Sequence, residues 1–370
     1  MIKLIDISFY AGNKTDRLAA QIEQHHAAMG YIDHFKKLAT VQVIKHAGEE
    51  EVLKINDVEY AGFRRQNSFW QIPLRTIRYI KKQRADVILV QGLVFPLQVI
   101  WLKRSLPPET IILVQHHGEK PLAGIKGWLQ QYADRLIDGY LFTGIGNATQ
   151  WVNVRTIKSN AKCFELLEAS TDFSRRDKEI SRYEQQLTGN CNFLWVGRLN
   201  TGKDPLTIIK AFQIFCVHEP LAKLYMIFQT DELLPEIKKI IEENKYLEEK
   251  IILVGKVAHE ALESWYSAAD FYISGSHFEG SGYALLEAMA CGCIPVVTAI
   301  PPFNAITANG KYAILFEAGN VEALVETMKH LHTIEREKMS TDIIGHFREQ
   351  LSFKAIATNL FLICKKLTGK

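Results

Sequence analysis

FYISGSHFEGSGYALLEAMACGCIPVV, residues 271–297, reads as a buried strand (Phe271 to Ser274), a Gly-rich loop (Gly275 to Gly282) and a helix (Tyr283 to Ala290), followed by a Gly/Cys turn and a second buried strand (Ile294 to Val297). Two apolar runs of strand length joined through a helix make one βαβ unit with parallel strands.

Two features set this unit apart from an ordinary crossover. Gly280 and Gly282 bracket Ser281 just ahead of the helix, so backbone N–H groups at a helix N-terminus are open to an anion without side-chain obstruction. Two carboxylates accompany them, Glu279 in the loop and Glu287 on the helix. A carboxylate beside an anion site does not serve the phosphate, so its natural partners are neutral hydroxyls. A nucleotide sugar carries both kinds of group. The plainer alternative is a helix N-terminus with one acid near its dipole and one solvated Glu.

The remainder of the chain supplies a frame for this unit. At 370 residues, 47% hydrophobic and with a net charge of +3, the composition is that of a soluble globular protein of about two domains, with nothing that demands a nucleic-acid partner. The cysteines (Cys163, Cys191, Cys216, Cys291, Cys293, Cys364) include no Cys-x-x-Cys and read as reduced, mostly buried thiols of a cytoplasmic protein. MIKLIDISFYAG at the N-terminus has an Asp at position 6 and no extended apolar core, so it reads as a first strand and not as a signal peptide. The longest apolar run, Val87 to Leu102, is interrupted by Gln91, Gly92, Pro96 and Gln98 and is too short to span a bilayer.

Taken in order, a strand at 2–9, a helix over 13–29 and a β-rich patch at 40–46 and 52–63 precede a regular alternation. Helices are predicted at 71–84, 95–105, 121–135 and 147–156, with strands at 86–90, 110–115, 138–143 and 163–167. Residues 172–192 turn polar and read as a linker. The alternation then resumes, with strands at 192–196, 223–229 and 251–255, helices at 205–217, 232–245 and 259–269, and the unit at 271–297. A strand near 312–316 and a helix at 320–332 follow it. Such alternation predicts an α/β protein of two doubly wound, Rossmann-like domains, with ligands at the carboxyl ends of the strands. The expected domains are 1–175 and 190–350, with an amphipathic helix at 352–370 packing back onto the first.

The first strand of the second domain runs into Gly197-Arg-Leu-Asn-Thr-Gly-Lys-Asp-Pro205. Gly197, Gly202 and Lys203 have the spacing of a phosphate-binding P-loop, but Asp204 stands where a hydroxyl should hold magnesium. The better reading takes Arg198 and Lys203 as two cations aimed at a diphosphate, against the alternative that both are solvated loop residues.

Gly-Arg-Leu-x-x-x-Lys at 197–203, followed about 75 residues later by Phe278-Glu-Gly-Ser-Gly-x-x-Leu-Leu-Glu-Ala-Met-Ala-Cys-Gly292, resembles the retaining GT-B glycosyltransferases of family 4. The likeness covers most of 190–335 and includes an intact E-x7-E motif at Glu279 and Glu287. It implies that Arg198, Lys203 and the backbone of Gly280, Ser281 and Gly282 hold the donor diphosphate. It also implies that Glu279 meets hydroxyls of the transferred sugar and that Glu287 accepts from the ribose. Negative charge gathers on the departing diphosphate in an oxocarbenium-like transition state, and fixed cations with a helix N-terminus stabilise it there. No Asp-x-Asp occurs, in keeping with the metal-independent reaction the resemblance implies, and no cofactor is expected beyond the nucleoside-diphosphate sugar itself.

In the first domain, Ile111-Ile-Leu-Val-Gln-His-His117 ends a strand in a pair of histidines. His117 aligns with the family's histidine at the donor sugar, and His116 is open to either a functional or a structural role. Gly12 falls where the family has a Gly-rich loop near the acceptor, although only one Gly is present. Residues 143–146 and 168–172 are weaker strand-end candidates. Three departures stand out: Phe228-Gln-Thr-Asp-Glu232 where a Gly-rich turn near the nucleotide is common, Ser281 for an aromatic, and Pro301-Pro-Phe303 for a Gly-Gly pair.

Residues 63–84 carry seven basic side chains and no acidic one, with Phe69, Trp70, Leu74, Ile77 and Ile80 interleaved. They read either as an interfacial patch toward an anionic membrane bearing a lipid-linked acceptor or as a sheet-packed helix with a solvated basic face. The expectation for the chain is a metal-independent, retaining hexosyltransferase that moves a sugar from a nucleoside-diphosphate sugar to a glycan or lipid-linked acceptor in polysaccharide biosynthesis. It is expected to be cytoplasmic, at most peripheral to a membrane. The competing readings are a GT-B protein that binds nucleotide or glycan without turnover, and a nucleotide-sugar epimerase on the same architecture.

Overall fold

A computed structural model describes residues 1–11, 17–64 and 68–370. Gly12 and Arg65 lie outside them. The chain divides into two compact units, residues 1–170 with 353–370, and residues 171–352.

The first unit is built on eight strands: β1 (Lys3–Ala11), β2 (Thr40–Ala47), β3 (Glu51–Ile55), β4 (Val58–Arg64), β5 (Val87–Gln91), β6 (Ile111–Gln115), β7 (Gly139–Phe142) and β8 (Cys163–Glu165). Their order is β3-β4-β2-β1-β5-β6-β7-β8, and only β3 and β4 pair antiparallel. That pair is the patch the sequence marks as β-rich, closed by a two-residue turn in which Asn56 and Asp57 both take positive φ. Apolar side chains alternate to the two faces of the sheet and build two cores. Ile5, Ile7, Ile88 and Val90 meet the helices Leu74–Gln83 and Pro96–Ser105, while Leu4, Val43 and Leu89 meet Tyr31–Phe35 and the final helix Phe353–Thr368. In that last helix Phe353, Ile356, Leu360 and Cys364 are buried at i, i+3, i+7 and i+11, a stripe against the core of the first unit.

The second unit holds six parallel strands, β9 (Cys191–Gly197), β10 (Ala222–Phe228), β11 (Ile251–Gly255), β12 (Phe271–Ser274), β13 (Ile294–Thr298) and β14 (Ile314–Phe316), in the order β11-β10-β9-β12-β13-β14. The chain winds outward from β9 to β11 and then returns to place β12 on the other side of β9. The strand order therefore reverses between β9 and β12, and the loops leaving these two strands part in opposite directions and open a crevice.

Several expectations give way to tertiary packing. The helix expected over 13–29 is broken into Leu18–Gln24 and His26–Met29 among the described residues, and a further short helix follows at Tyr31–Phe35. The stretch read as a linker belongs to the second unit, since residues 178–184 form a helix capped by Asp177. Arg182 and Lys178 of that helix meet the buried carboxylate of Asp270 at 2.9 and 2.7 Å. Its charged residues read as polar linker, but Lys178 and Arg182 close on this packed partner. Two helices, Pro301–Ile306 and Arg336–His346, were not anticipated: the first is only six residues long and the second has weak amphipathic periodicity.

Candidate active site

The loops after β9 and β12 are stapled together. The His277 N–H donates to the Gly202 carbonyl at 3.0 Å, and His277 Nε2 lies 3.0 Å from Asp204 Oδ2. Asp204 is the N-cap of the helix Pro205–His218, accepting from the Thr207 N–H at 3.2 Å and from its hydroxyl at 2.7 Å. This explains the departure from the P-loop pattern: the residue in the metal-binding position caps the next helix instead.

Lys203 Nζ, brought over by this staple, pairs with Glu279, whose Oε1 also accepts from the Ser276 hydroxyl at 2.7 Å. Arg198 is exposed and makes no ion pair with the described residues. Both basic side chains line a cavity of about 240 Å³ with Glu279, Gly282, Glu287 and His259. Gly282, at φ +68°, caps the helix Tyr283–Ala290, and a Cβ there would lie 2.9 Å from the ring of Phe303. Only glycine combines this backbone with that approach. Pro301 and Pro302 begin the short helix that sets Phe303 in place, so the departure at 301–303 and the requirement at Gly282 form one packing arrangement.

Glu287 is not a solvated helix acid. It is buried, with His259 Nε2 2.7 Å from Oε1 and the Tyr266 hydroxyl donating to Oε2 at 3.2 Å. The hydrogen bond to Glu287 lifts the His259 imidazole above its ordinary value, and burial opposes it only in part. Neither His259 nor Tyr266 follows from sequence reasoning. Both sit on the β11–β12 crossover, and only folding brings that segment onto the Glu287 helix. Phe228 and Gln229, in place of a Gly-rich turn, line the same cavity. Thr230 accepts from the Leu199 N–H at 2.9 Å and so holds the loop that carries Arg198.

His117 belongs to the first unit, at the end of β6. Its Nδ1 pairs with Glu168 and its Nε2 lies 2.8 Å from Gln91 Oε1. The Gln91 amide is oriented by donating its other end to Asp6 at 2.8 Å, and Asp6 also accepts from the Tyr31 hydroxyl at 2.5 Å. Both ring nitrogens thus face acceptors, an arrangement suited to imidazolium. Burial pushes the His117 ring down, but hydrogen bonding and charge from Glu168, with Glu119 behind it, outweigh burial and raise it above 6.5. Glu119 is held down to about 2: burial pushes it up, and the nearby His116 and His117 more than reverse this. His116 itself is a core ring, stacked on Phe142 with centroids 4.3 Å apart. Its Nδ1 lies 3.3 Å from Glu119 Oε1. Glu168 was a weak strand-end candidate, while Gln91 and Glu119 were not singled out.

A raised folded value means that the His117–Glu168 pair contributes stability fully below about pH 6.5 and loses it as pH rises through the folded pKa. Glu168→Gln is expected to lower the His117 titration, followed by NMR, and to destabilise the protein more at pH 6 than at pH 9. An unmoved His117 titration would remove Glu168 as the cause.

Residues 177–346 match the model of Glycosyl transferases group 1. Mannosylfructose-phosphate synthase of Agrobacterium fabrum is 31% identical over 142 residues, covering 36% of this chain and 31% of that protein. GDP-mannose:cellobiosyl-diphosphopolyprenol alpha-mannosyltransferase of Xanthomonas oryzae is 25% identical over 156 residues, 41% of each. The matches therefore span about a third to two fifths of these relatives' lengths. Sucrose-phosphate synthase from Thermosynechococcus elongatus has the same two-domain fold, with a TM-score of 0.71 over 100% of both chains at 15% identity. This chain has the GT-B fold, and the part of it that matches the glycosyl transferases group 1 model is residues 177–346.

Proposed function

We propose that the protein is a retaining, metal-independent glycosyltransferase that moves a hexosyl group from a nucleoside-diphosphate sugar to a hydroxyl of a glycan or lipid-linked acceptor. The observation that carries this reading is the cavity at the β9/β12 reversal, where Lys203, Arg198, Glu279 and Glu287 converge beside the glycine-capped start of a helix.

In this reading the diphosphate lies against Arg198, Lys203 and the N–H groups of residues 280–282, where the helix N-terminus favours negative charge. Glu287, positioned by His259 and Tyr266, accepts from the ribose hydroxyls. Glu279, positioned by Ser276 and Lys203, accepts from hydroxyls of the transferred sugar. The bond between the anomeric carbon and the phosphate oxygen breaks as the acceptor oxygen bonds to the same face, and the acceptor proton passes to the leaving phosphate. The products are the glycosylated acceptor and the nucleoside diphosphate. His117 is proposed to donate its Nε2–H to the transferred sugar in exchange for Gln91, with Nδ1 held by Glu168, rather than to act as a base. The developing charge is met by Arg198 and Lys203, so no metal is assigned a role.

The test is nucleotide release and sugar transfer with uridine, guanosine and adenosine diphosphate sugars, each with and without glycan and polyprenyl-diphosphate acceptors. Saturable binding with no release under any acceptor would replace this reading with a non-catalytic one. Isomerised donor formed without acceptor would indicate an epimerase.

A further inference from the structure

The protein has six tryptophans, and they fall into two groups. Trp151, Trp195 and Trp265 are buried, at 2%, 1% and 7% exposure, whereas Trp70, Trp101 and Trp128 are 51%, 47% and 60% exposed. All three exposed ones lie on the outer surface of one helical layer of the first unit, formed by Leu74–Gln83, Pro96–Ser105 and Gly124–Ala133 with the preceding residues 68–73.

Spacing places them in stripes. Leu97, Trp101 and Arg104 follow one another at i, i+4 and i+7 on the second helix, and Ile125, Trp128 and Tyr132 at i, i+3 and i+7 on the third. The Arg104 guanidinium donates to the Tyr132 hydroxyl at 2.6 Å and joins the two stripes. At the other end Trp70 packs edge-on against Phe69 with centroids 4.9 Å apart, and Lys126 Nζ sits 4.4 Å from the centre of the Phe69 ring. The three helices contain seven Lys or Arg and no Asp or Glu, in a chain whose net charge is only +3. Arg78, Lys81, Lys82 and Lys126 have no carboxylate partner among the described residues.

A solvated basic face accounts for the charges but leaves three half-exposed tryptophans on the same layer without a reason. Single exposed apolar residues are ordinary; a clustered set rimmed by one sign of charge marks an interaction surface. Amphipathic indole rings are the side chains that settle at the headgroup level of a bilayer, and Lys and Arg beside them add attraction to anionic lipid. Among the described residues no helix is long and apolar enough to cross a membrane, so such contact would be peripheral.

We propose that this three-helix face docks on an anionic lipid bilayer, with Trp70, Trp101 and Trp128 entering the headgroup region and the unpaired Lys and Arg meeting lipid phosphates. The proposal stands apart from the transfer reading, because it concerns a surface of the first unit that shares no residue with the donor cavity.

The experiment is co-sedimentation of the full chain with vesicles of phosphatidylcholine alone and of equimolar phosphatidylcholine and phosphatidylglycerol, with tryptophan fluorescence recorded in parallel. Expected are binding to the anionic vesicles only, weakened by salt, and a blue shift of the emission. Trp101→Ala/Trp128→Ala and, separately, Arg78→Glu/Lys82→Glu should each weaken partition about tenfold or more. All four positions are exposed, and an unchanged melting temperature verifies folding. Equal binding to both vesicle types, no binding, or full binding by either double variant overturns the proposal. So does concentration-dependent self-association that the tryptophan variant abolishes, or an equal fluorescence response to single-stranded RNA.

Discussion

Lys203→Ala is expected to lower turnover of a nucleoside-diphosphate sugar about 100- to 1,000-fold, the loss usual when one preorganised charge-stabilising donor is removed. The ammonium is held by the His277 staple and the Glu279 pair before any donor arrives, so it need not be reorganised as charge builds on the leaving diphosphate. Its removal also leaves Glu279 without a counter-charge, which works against an anionic ligand in the same cavity. Stability should change little, by less than about 1 kcal/mol, because the Lys203 side chain is 30% exposed and a screened pair of this kind contributes modestly. Steady-state kinetics beside a melting curve separate these effects. Turnover within a factor of three of wild type, with normal folding, would remove Lys203 from the diphosphate site.

Asp270→Ala is expected to produce the largest loss of stability, about 3 kcal/mol in the unfolding of the second unit. The carboxylate is 2% exposed and holds Lys178 at 2.7 Å, Arg182 through both oxygens at 2.9 Å and the Asn192 N–H at 2.9 Å. Arg336, the first residue of the unanticipated helix near the end of the unit, stands 3.5 Å from the same carboxylate. Removing the carboxylate leaves three cations converging without a counter-charge and strands a buried backbone donor at the start of β9. The effect belongs at the lower end of the range for broken buried pairs, because the cations are about a quarter to a third exposed and can turn toward water. Urea titration monitored by far-ultraviolet circular dichroism measures the loss, and faster tryptic cleavage at Lys178 and Arg182 reports release of their helix. A loss below about 1 kcal/mol would mean that these charges are already solvated in the folded state.

Much of the fold was legible before folding because parallel α/β sheets write themselves locally. Each buried strand is a short apolar run, each crossover an amphipathic helix, and β12, the Tyr283–Ala290 helix and β11 lie where the sequence places them. Charged segments were misread, since charge alone does not distinguish a solvated residue from one that closes on a buried partner. Residues 178–184 looked like linker until Asp270 was seen beneath them.

The same division runs through the candidate site. Gly280, Ser281 and Gly282, the two carboxylates and the two cations were visible because a helix N-terminus, an acid spacing and a strand-end Lys are local patterns. The sequence by itself determined the strand–helix alternation, the glycine-capped helix and the chemical types gathered for a phosphate and hydroxyl ligand. Only the tertiary structure decided which of those groups meet. The reversal of strand order between β9 and β12 sets Lys203 against Glu279, and the β11–β12 crossover delivers His259 and Tyr266 to Glu287. Core packing stacked His116 on Phe142 beside Glu119, while His117, one residue on, meets Glu168 and Gln91. The physical reason is that local sequence specifies backbone conformation and burial over a few residues, whereas the pairing of side chains distant in the chain depends on strand order and packing, which are settled only when the whole unit folds.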